Sequence, residues 1–484
     1  MRRALPLVLC LAAVLCCARG AVRPLSAADD WPEARKAFLA KSKSPDWKVR
    51  STAFGDLAYF DDEKAVAAVL GVLAGESQPN VLLAGIRALG AFRSEAARAA
   101  VAETLRKGKD PLRLYALFAV ADQPGSEGKD VLLELLQARE APVLAQAALA
   151  LGRKQVREAL PSLLALLRHK DVRVRGAAAR AVRYLAGAAG TPPAAGGAPA
   201  AGGATAPSGP PARSLATPEV LGALVDALEA GEGRERADLL ATLQHLTRQE
   251  LGWDVAAWRA LAQGAPVEAL PRNPRHPAYF FGLPVFGRRL VLLADNNVRT
   301  EDAHPFAERA RLQEVCKVPG ARPVPWFELK TLQQLLRAHV KRTVADLPSG
   351  TSFELVIVSG KARGTFGKLT AANDGTKATA ATALDEARVE SGNDVFSALD
   401  GALDITSRKD SVAWDTGPEE VLYAIVALPW LAEQSDPAVV AAAIGLKARM
   451  RGVPLTLVGL GEHPYEMCQA LAEATGGTYL NLSK

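Results

Sequence analysis

An acidic, amide-rich turn follows the apolar run 289–294 and holds the residues best suited to chemistry. Asp295, Asn297 and Arg299 alternate along it. Carboxylate and amide oxygens are ligands that a hard cation such as Mg²⁺ accepts, in an octahedral shell completed by hydroxyls or water. Arg299 opposes such a site, because a guanidinium is a permanent cation with no acceptor atom. A charge pair between Arg299 and Asp295 could take the place of a metal ion.

The elements that must position this turn alternate between strand and helix. Apolar runs predict strands at 289–294, 353–359, 421–428, 454–461 and 478–483. Amphipathic segments predict helices at 331–347, 393–406, 436–450 and 465–477. An antiparallel edge strand is expected at Thr365–Leu369. The pattern is typical of an α/β fold with a doubly wound, mostly parallel sheet, which binds ligands at the carboxyl ends of its strands.

The residues from 288 to 484 resemble a von Willebrand factor A domain. The ending RGVPLTLVGLGEHPYEMCQALAEATGGTYLNLS follows the last strand, helix and strand of that family. The segment SGNDVFSALDGAL (391–403) matches the family's Gly-Gly-Thr-Asp helix start. The resemblance implies a crevice where Asp-x-Ser-x-Ser, a threonine and a later aspartate hold magnesium.

Position by position, this sequence keeps only the first acidic ligand of that set. Asn297 and Arg299 stand at the two serine positions, and Asn393 replaces the threonine. The later aspartate falls in ALPWLAEQ (427–434), where no carboxylate precedes Glu433. We therefore expect a dismantled metal site without a cofactor. The residues left as its rim are Asp295, Asn297, Arg299, Asn393 and Asp394.

The first half of the chain is an internal repeat. Its anchor residues are Val49, Val81, Leu112, Val143 and Val174, and they recur at steps of 31 or 32 residues. Each unit reads as two helices, with small residues on the first and leucines on the second. A constant step near thirty residues predicts a solenoid. The Asp-x-x-Val-Arg openings at Asp46 and Asp171 resemble short bacterial HEAT repeats, and the resemblance covers residues 28–264.

The stretch 187–214 is rich in Ala, Gly and Pro, so we expect it to be disordered. The repeat register argues against a domain linker there. Helix 172–185 still needs a partner, and 217–231 has the pattern of a second helix. We predict that 187–214 is a loop inside the fifth repeat, with 217–231 docked on 172–185.

A linker lies between the halves, and an insertion interrupts the second half. Residues 265–287 are Pro-rich and are interpreted as the linker between an all-α solenoid and the α/β domain. Trp253 and Trp258 just before it are expected to close the end of the solenoid core. The insertion 301–328 has no counterpart in the family. It is expected beside the crevice, and it could cover the crevice.

The first residues read as a secretory signal. MRRALPLVLCLAAVLCCARGA has two arginines near its start, an apolar stretch and a small-x-small site ending at Gly20, with a third arginine inside that site. Cleavage at that site lowers the formal net charge from +6 to +3, which gives no support for nucleic-acid binding. Leu15 before Cys16 fits a lipid anchor poorly, and the apolar stretch is too short for a membrane span.

Catalytic motifs are missing from the sequence. The histidines are scattered, and no Ser or Cys stands in a nucleophile setting such as Gly-x-Ser-x-Gly. GKARGTFGKL (360–369) lacks the glycine spacing and the final Ser or Thr of a phosphate loop, so it reads as a turn. Cys316 and Cys468 of the mature chain could form a disulfide or remain as buried thiols.

Together these features predict a secreted or periplasmic, non-enzymatic scaffold that binds protein partners. The alternative is a metal-dependent, adhesion-type module that uses Asp295 and Asn297 as ligands. Neither reading names the partner.

The signal sequence gives the first prediction. We expect the mature protein to begin at Ala21, because the small residues at 18 and 20 fit signal peptidase. Amino-terminal sequencing of protein from the periplasm or culture fluid measures this. Protein that keeps Met1 in those fractions would contradict it.

Overall fold

The computed structural model describes residues 31–57, 60–123, 128–187, 215–266, 278–301, 306–318, 323–392, 394–407, 413–426 and 437–483. The predicted signal sequence and nearly all of the Ala/Gly/Pro-rich stretch lie outside these ranges.

The first half is a stack of paired helices. Its helices are α1 (Trp31–Lys41), α2 (Trp47–Leu57), α3 (Glu63–Leu73), α4 (Pro79–Ala91), α5 (Glu95–Lys107), α6 (Leu112–Ala121), α7 (Lys129–Glu134), α8 (Ala141–Arg153), α9 (Leu160–Leu166), α10 (Val172–Leu185), α11 (Pro218–Ala230), α12 (Glu235–Thr247) and α13 (Val255–Ala262). The even-numbered helices α2 to α12 pack one on the next and form a first-helix layer. The odd-numbered helices from α3 to α13 form the second-helix layer.

Local sequence explains where these helices begin. Asp62, Asp171 and Asp254 each accept a backbone N–H with the side chain as an N-cap, which satisfies one of the donors that a helix start leaves open. Pro79 and Pro218 stand in the first turn, where proline's missing N–H costs nothing.

Helix α11 follows the undescribed stretch and packs in the second-helix layer. It contacts α9 on one side and α13 on the other. Its apolar face joins the core cluster that also contains Val182 and Leu185 of α10. This is the place that a second helix of the fifth repeat would take. That residues 187–214 form an extruded loop, and that 217–231 docks on 172–185, both stay predictions.

The end of the solenoid is closed by aromatic rings. Trp258 is buried, and its indole N–H donates to Gly252 O at 2.8 Å. Trp253 is half-buried and packs edge-on against Phe286, with ring centroids 4.5 Å apart. The cap of the solenoid therefore also contacts the start of the second half.

The second half contains a seven-stranded sheet and a separate hairpin. The hairpin strands are β1 (Tyr279–Phe280) and β2 (Leu283–Pro284), and the sheet strands are β3 (Arg289–Asp295), β4 (Ser352–Ser359), β5 (Lys361–Gly364), β6 (Thr370–Ala371), β7 (Glu420–Ile425), β8 (Leu455–Gly459) and β9 (Tyr479–Asn481). The order in the sheet is β5-β4-β3-β7-β8-β9, with β6 also on β4. Only β5 and β6 run antiparallel, so the predicted doubly wound, mostly parallel sheet is confirmed.

Helices cover both faces of this sheet. They are α14 (Phe306–Val315), α15 (Leu332–Asp346), α16 (Asp374–Glu386), α17 (Val395–Asp404), α18 (Ala413–Thr416), α19 (Pro437–Arg451) and α20 (Tyr465–Thr475). The central strand β3 shows the division, because Leu290 and Leu292 pack toward α15 and α16, whereas Val291 and Leu293 pack toward α17, α19 and α20. A strand buried on both faces explains the continuous apolar run.

The second half also contains elements that the sequence did not predict. Phe280 and Phe281 of the hairpin are fully buried in its core, so this half reaches upstream of residue 288 into the predicted linker. Helices α14, α16 and α18 were not anticipated. Both Cys316 and Cys468 are buried free thiols.

The antiparallel edge differs from its predicted place. The edge strand is Lys361–Gly364, and the predicted segment Thr365–Leu369 is the connection to β6. The backbone N–H groups of Thr365, Phe366 and Lys368 all donate to the buried carboxylate of Glu354. An anion of the protein itself thus occupies the turn of this glycine-containing segment.

No helix in the described ranges is long and apolar enough to cross a membrane.

A buried histidine links stability to pH. His339 on α15 is fully buried and stacks on Phe281, with ring centroids 4.2 Å apart. Burial, followed by the nearby charge of Arg342, lowers the pKa of His339 well below its ordinary value. The folded chain therefore holds this imidazole neutral, while the unfolded chain binds a proton as the pH falls.

We predict that stability falls as the pH drops below about 6.5, the ordinary histidine pKa, by up to about 1.4 kcal/mol per pH unit for this group. Urea unfolding of the protein and of His339→Phe measures the effect between about pH 7 and pH 5, a range that includes the ordinary histidine pKa. The variant should show a shallower dependence. Equal slopes would mean that His339 is not responsible.

Candidate functional site

The carboxyl edge of the sheet is built around Asp295, the last residue of β3. The side chain is buried, and both carboxylate oxygens accept hydrogen bonds from the neighbouring strand segment. The Tyr423 hydroxyl donates to Oδ1 at 3.1 Å, and the Val426 N–H donates to Oδ2 at 2.8 Å. Asp295 thus joins β3 to the end of β7 through donors of the protein itself.

Asn296 is the centre of a second hydrogen-bond network. Its amide nitrogen donates to Arg388 O at 2.8 Å and to Ser359 Oγ at 3.2 Å. Its Oδ1 accepts from Gln333 Nε2 at 3.0 Å and from Arg337 at 3.1 Å. A buried amide with partners for both of its ends holds its neighbours in one arrangement. Asn296 therefore ties β3 to β4, α15 and the segment after α16.

Arg337 extends this network away from the strand. One guanidinium nitrogen also donates to Ala387 O at 2.8 Å, and another donates to Asp385 O at 3.3 Å. Burial lowers the pKa of Arg337 from its ordinary value, and the charge of Asp385 opposes that change. The side chain thus fixes the segment that follows α16 against α15.

Asn297 turns its oxygen inward to the backbone. The side chain is 2% exposed, and its Oδ1 accepts the Arg299 N–H at 2.9 Å. This assignment leaves the NH₂ group as the other end of the amide, and that group has no acceptor among the described residues. A buried donor cannot ligate a cation. The Arg299 side chain itself is exposed, and its pairing with Asp295 stays a prediction.

Of the two remaining predicted rim residues, the structure describes one. Asp394 lies at the start of α17, where its side chain caps the helix by accepting the Ser397 N–H at 3.0 Å. Asn393 and the segment 427–436 lie outside the described residues. Among the described residues, no three His, Cys, Asp or Glu side chains come close enough to hold a metal ion.

Three exposed apolar side chains lie on segments that lead into or out of this edge. Val298, directly after β3, is 50% exposed, and Tyr465, at the start of α20 after β8, is 49% exposed. Phe327 precedes α15 and is 67% exposed. The start of α15 lies at the same edge, because Leu332 packs beside Gly461 of the β8–α20 connection. The edge therefore combines a buried polar network with apolar groups open to solvent.

Sequence reasoning found Asp295 and Asn297 but missed the residues that complete the networks. These are Asn296, Gln333, Arg337, Ser359 and Tyr423. Asn296 lies between two predicted rim residues, at a position that the family's Asp-x-Ser-x-Ser pattern leaves unspecified. The other four are distant in sequence. Ser359, as the last residue of a predicted strand, was the one that position alone could have indicated.

One protein-family model matches the first half of the chain. The HEAT repeat family model matches residues 35–121 and 129–195. The first half therefore carries HEAT repeats, as the 31-residue step predicted. No curated protein is similar to this chain in sequence.

Several solved structures align with the second half. The von Willebrand factor type A protein from Catenulispora acidiphila is 17% identical, covers 41% of this chain and 39% of its own, and has a TM-score of 0.29. BatB from Bacteroides thetaiotaomicron is 13% identical over 41% of this chain and 91% of its own, with a TM-score of 0.27. Proximal thread matrix protein 1 from the mussel byssus, with zinc in its MIDAS motif, is 15% identical over 40% and 41%, with a TM-score of 0.27.

The chain thus spans about two fifths of the first of these proteins. The strand order and registers described above define the second half as an α/β fold with a doubly wound, mostly parallel sheet.

Two neighbouring amides provide a matched test of the networks. We predict that Asn296→Ala lowers the free energy of unfolding by about 2–3 kcal/mol, because it leaves buried donors and acceptors without partners. Asn297→Ala should cost about 1 kcal/mol, because only its oxygen has a partner. Urea unfolding measures both. A larger loss for Asn297→Ala would contradict the assigned networks.

Proposed function

We propose that this chain is an exported, non-enzymatic scaffold for protein interaction, and that its partner binds the carboxyl edge of the second half without a metal ion. One observation carries the metal-free part. Asp295 is the only acidic member kept from the expected ligand set, and both of its oxygens accept hydrogen bonds from Tyr423 and Val426. These donors compensate part of the charge of the buried carboxylate, so its place in the fold does not depend on a cation.

The apolar groups at the same edge support a protein partner. Val298, Phe327 and Tyr465 are three of the five large apolar side chains that are exposed in the described ranges. Exposed aromatic residues are costly in water and are enriched at protein interfaces. Their place at the edge where α/β sheets bind ligands makes this the favoured contact surface.

The buried reactive groups support a role without catalysis. Burial raises the pKa of the Cys316 thiol to about 12 and also raises that of Cys468. Such thiols are protonated at neutral pH and are poor nucleophiles. Burial also holds the pKa of His339 well below its ordinary value.

The proposed location follows from the sequence start. The apolar stretch before Gly20 has the pattern of a cleavable signal, which supports a location in the periplasm or outside the cell. The small net charge of the mature chain argues against nucleic acid as a partner. Leu15 before Cys16 argues against a lipid anchor.

The second candidate is the metal-dependent, adhesion-type module. The observation that favours it is that Asp295 stays at the carboxyl end of the central strand, where a cation would need a carboxylate. In that case Asp295 and Asn297 would be the ligands, and Asn297 would have to release the Arg299 N–H to offer its oxygen.

Calorimetry and partner capture together separate the two candidates. We predict no binding of Mg²⁺ or Mn²⁺ at micromolar levels by the full-length mature protein. Crosslinked partner from periplasm or culture fluid should be recovered equally in EDTA and in Mg²⁺. Phe327→Ser should reduce that recovery at least about fivefold, because loss of a central aromatic contact costs 1 kcal/mol or more.

The control is Val49→Ser, which changes an apolar side chain of the solenoid that is 38% exposed. It should leave recovery unchanged. Micromolar Mg²⁺ binding that disappears in Asp295→Ala would favour the metal-dependent module. Equal losses in Phe327→Ser and Val49→Ser would remove the carboxyl edge as the contact surface.

A further inference from the structure

Two helices of the second half end against the solenoid. Helices α19 and α20 are each followed by a glycine with positive φ, Gly452 at 63° and Gly476 at 73°. Such a glycine closes a helix because it accepts the left-handed conformation without a steric cost. The last carbonyl groups of a helix still need donors, and the helix dipole makes this end attractive to cations.

Helix α10 of the solenoid meets the end of α20 with an arginine. The Arg180 guanidinium donates to Thr475 O, the last residue of α20, at 2.8 Å. The guanidinium also lies where a side chain at position 476 would stand. Only a glycine at this position leaves room for Arg180 to reach the helix end.

A second arginine of α10 meets the neighbouring helix end. Arg173 donates to Pro418 O at 2.7 Å and also to Trp414 O. Its guanidinium lies 5.0 Å from the centre of the Trp414 ring, and this ring covers Gly452 after α19. The Trp414 indole N–H in turn donates to Asp171, the N-cap of α10, at 3.0 Å. Arg173 therefore recognises the end of α19 through Trp414.

Helix α8, the next helix of the first-helix layer, completes the contact. Gln146 donates to Arg449 O in the last turn of α19 at 2.6 Å. Arg153 donates to Ala474 O in the last turn of α20 at 3.2 Å. Each of the two helix ends is thus met by one side chain from α8 and one from α10.

The spacing of the α10 arginines fits this pair of helices. Arg173 and Arg180 are two helical turns apart on one face of α10, which corresponds to about 10.5 Å. Packed helices such as α19 and α20 lie about 8–10 Å apart. Ala177 between the arginines lies in a buried cluster with Trp414 of the second half.

Two further arginines form ion pairs between the halves. Arg449 of α19 lies 4.5 Å from the centre of the Phe118 ring and pairs with Asp122 at 3.2 Å. Arg234 at the start of α12 pairs with Glu420 at the start of β7 at 3.3 Å, and both side chains are buried. A buried charge that loses its partner is costly, so this pairing disfavours separation of the halves.

We propose that the first-helix layer of the solenoid is a receptor for two helix ends of its own chain, and that Arg173 and Arg180 hold the halves together without the covalent connection. This docking does not depend on the proposed function. The solenoid's occupied layer leaves the second-helix layer and the distant carboxyl edge for other proteins.

Cleavage of the connection in the full-length mature protein tests the docking. A protease recognition sequence is inserted between residues 267 and 277, and the folded protein is cut. At about 0.15 M salt the two pieces should elute together, at the volume of the uncut chain. The double variant Arg173→Ala/Arg180→Ala should raise the Kd of the pieces at least about thirtyfold, because several charge-assisted hydrogen bonds are lost.

The matched control removes two other solenoid arginines, Arg106 and Arg259. Each forms ion pairs within the solenoid, with Glu134 and with Asp226, respectively. Arg106→Ala/Arg259→Ala changes the net charge equally and should leave the Kd unchanged.

Circular dichroism shows whether each variant is folded. Gln146→Ala, a milder change, should raise the Kd about fivefold even if the double variant misfolds. Separation of the two pieces of the cut, unsubstituted protein at micromolar concentration, or equal Kd values for Gln146→Ala and the control, would overturn the proposal.

Discussion

A buried polar group must find a partner, and this requirement shapes both ends of the parallel sheet in the second half. At the carboxyl edge, the oxygens of Asp295 accept from Tyr423 and Val426, and Asn296 pairs at both ends of its amide. In a metal-binding sheet, a cation would neutralise such a carboxylate. Here, donors of the protein take that part, and the strand ends are joined to one another by side chains.

At the amino edge the same requirement is met by the other half of the chain. The last carbonyl groups of α19 and α20 accept from Gln146, Arg153 and Arg180 of the solenoid. The strand β3 has seven residues and spans about 20 Å between the two edges. The solenoid and the candidate contact surface therefore lie at opposite ends of the sheet. A protein bound at one end would not compete with the docking at the other.

The repeats and the sheet were accessible from sequence because both rest on local periodicity. The 31-residue step places each pair of helices. Continuous apolar runs place β3, β4 and β8 within two residues and the start of β7 within one, although the predicted run extends past the end of β7. The hairpin β1–β2 escaped because its two-residue strands carry no periodic signal, although Phe280 and Phe281 are fully buried. The edge strand was predicted at the wrong residues because the carboxylate that organises the following turn, Glu354, lies on another strand.

By itself, the sequence determined which polar residues stand after β3, and it determined that Arg299, a guanidinium without an acceptor atom, is among them. The tertiary structure decided how these residues are used, because hydrogen-bond partners come from distant parts of the chain. Asn296 became central only when Gln333, Arg337 and Ser359 were brought beside it. Likewise, an arginine pair on a repeat helix becomes a docking element only when two helix ends lie at a matching distance.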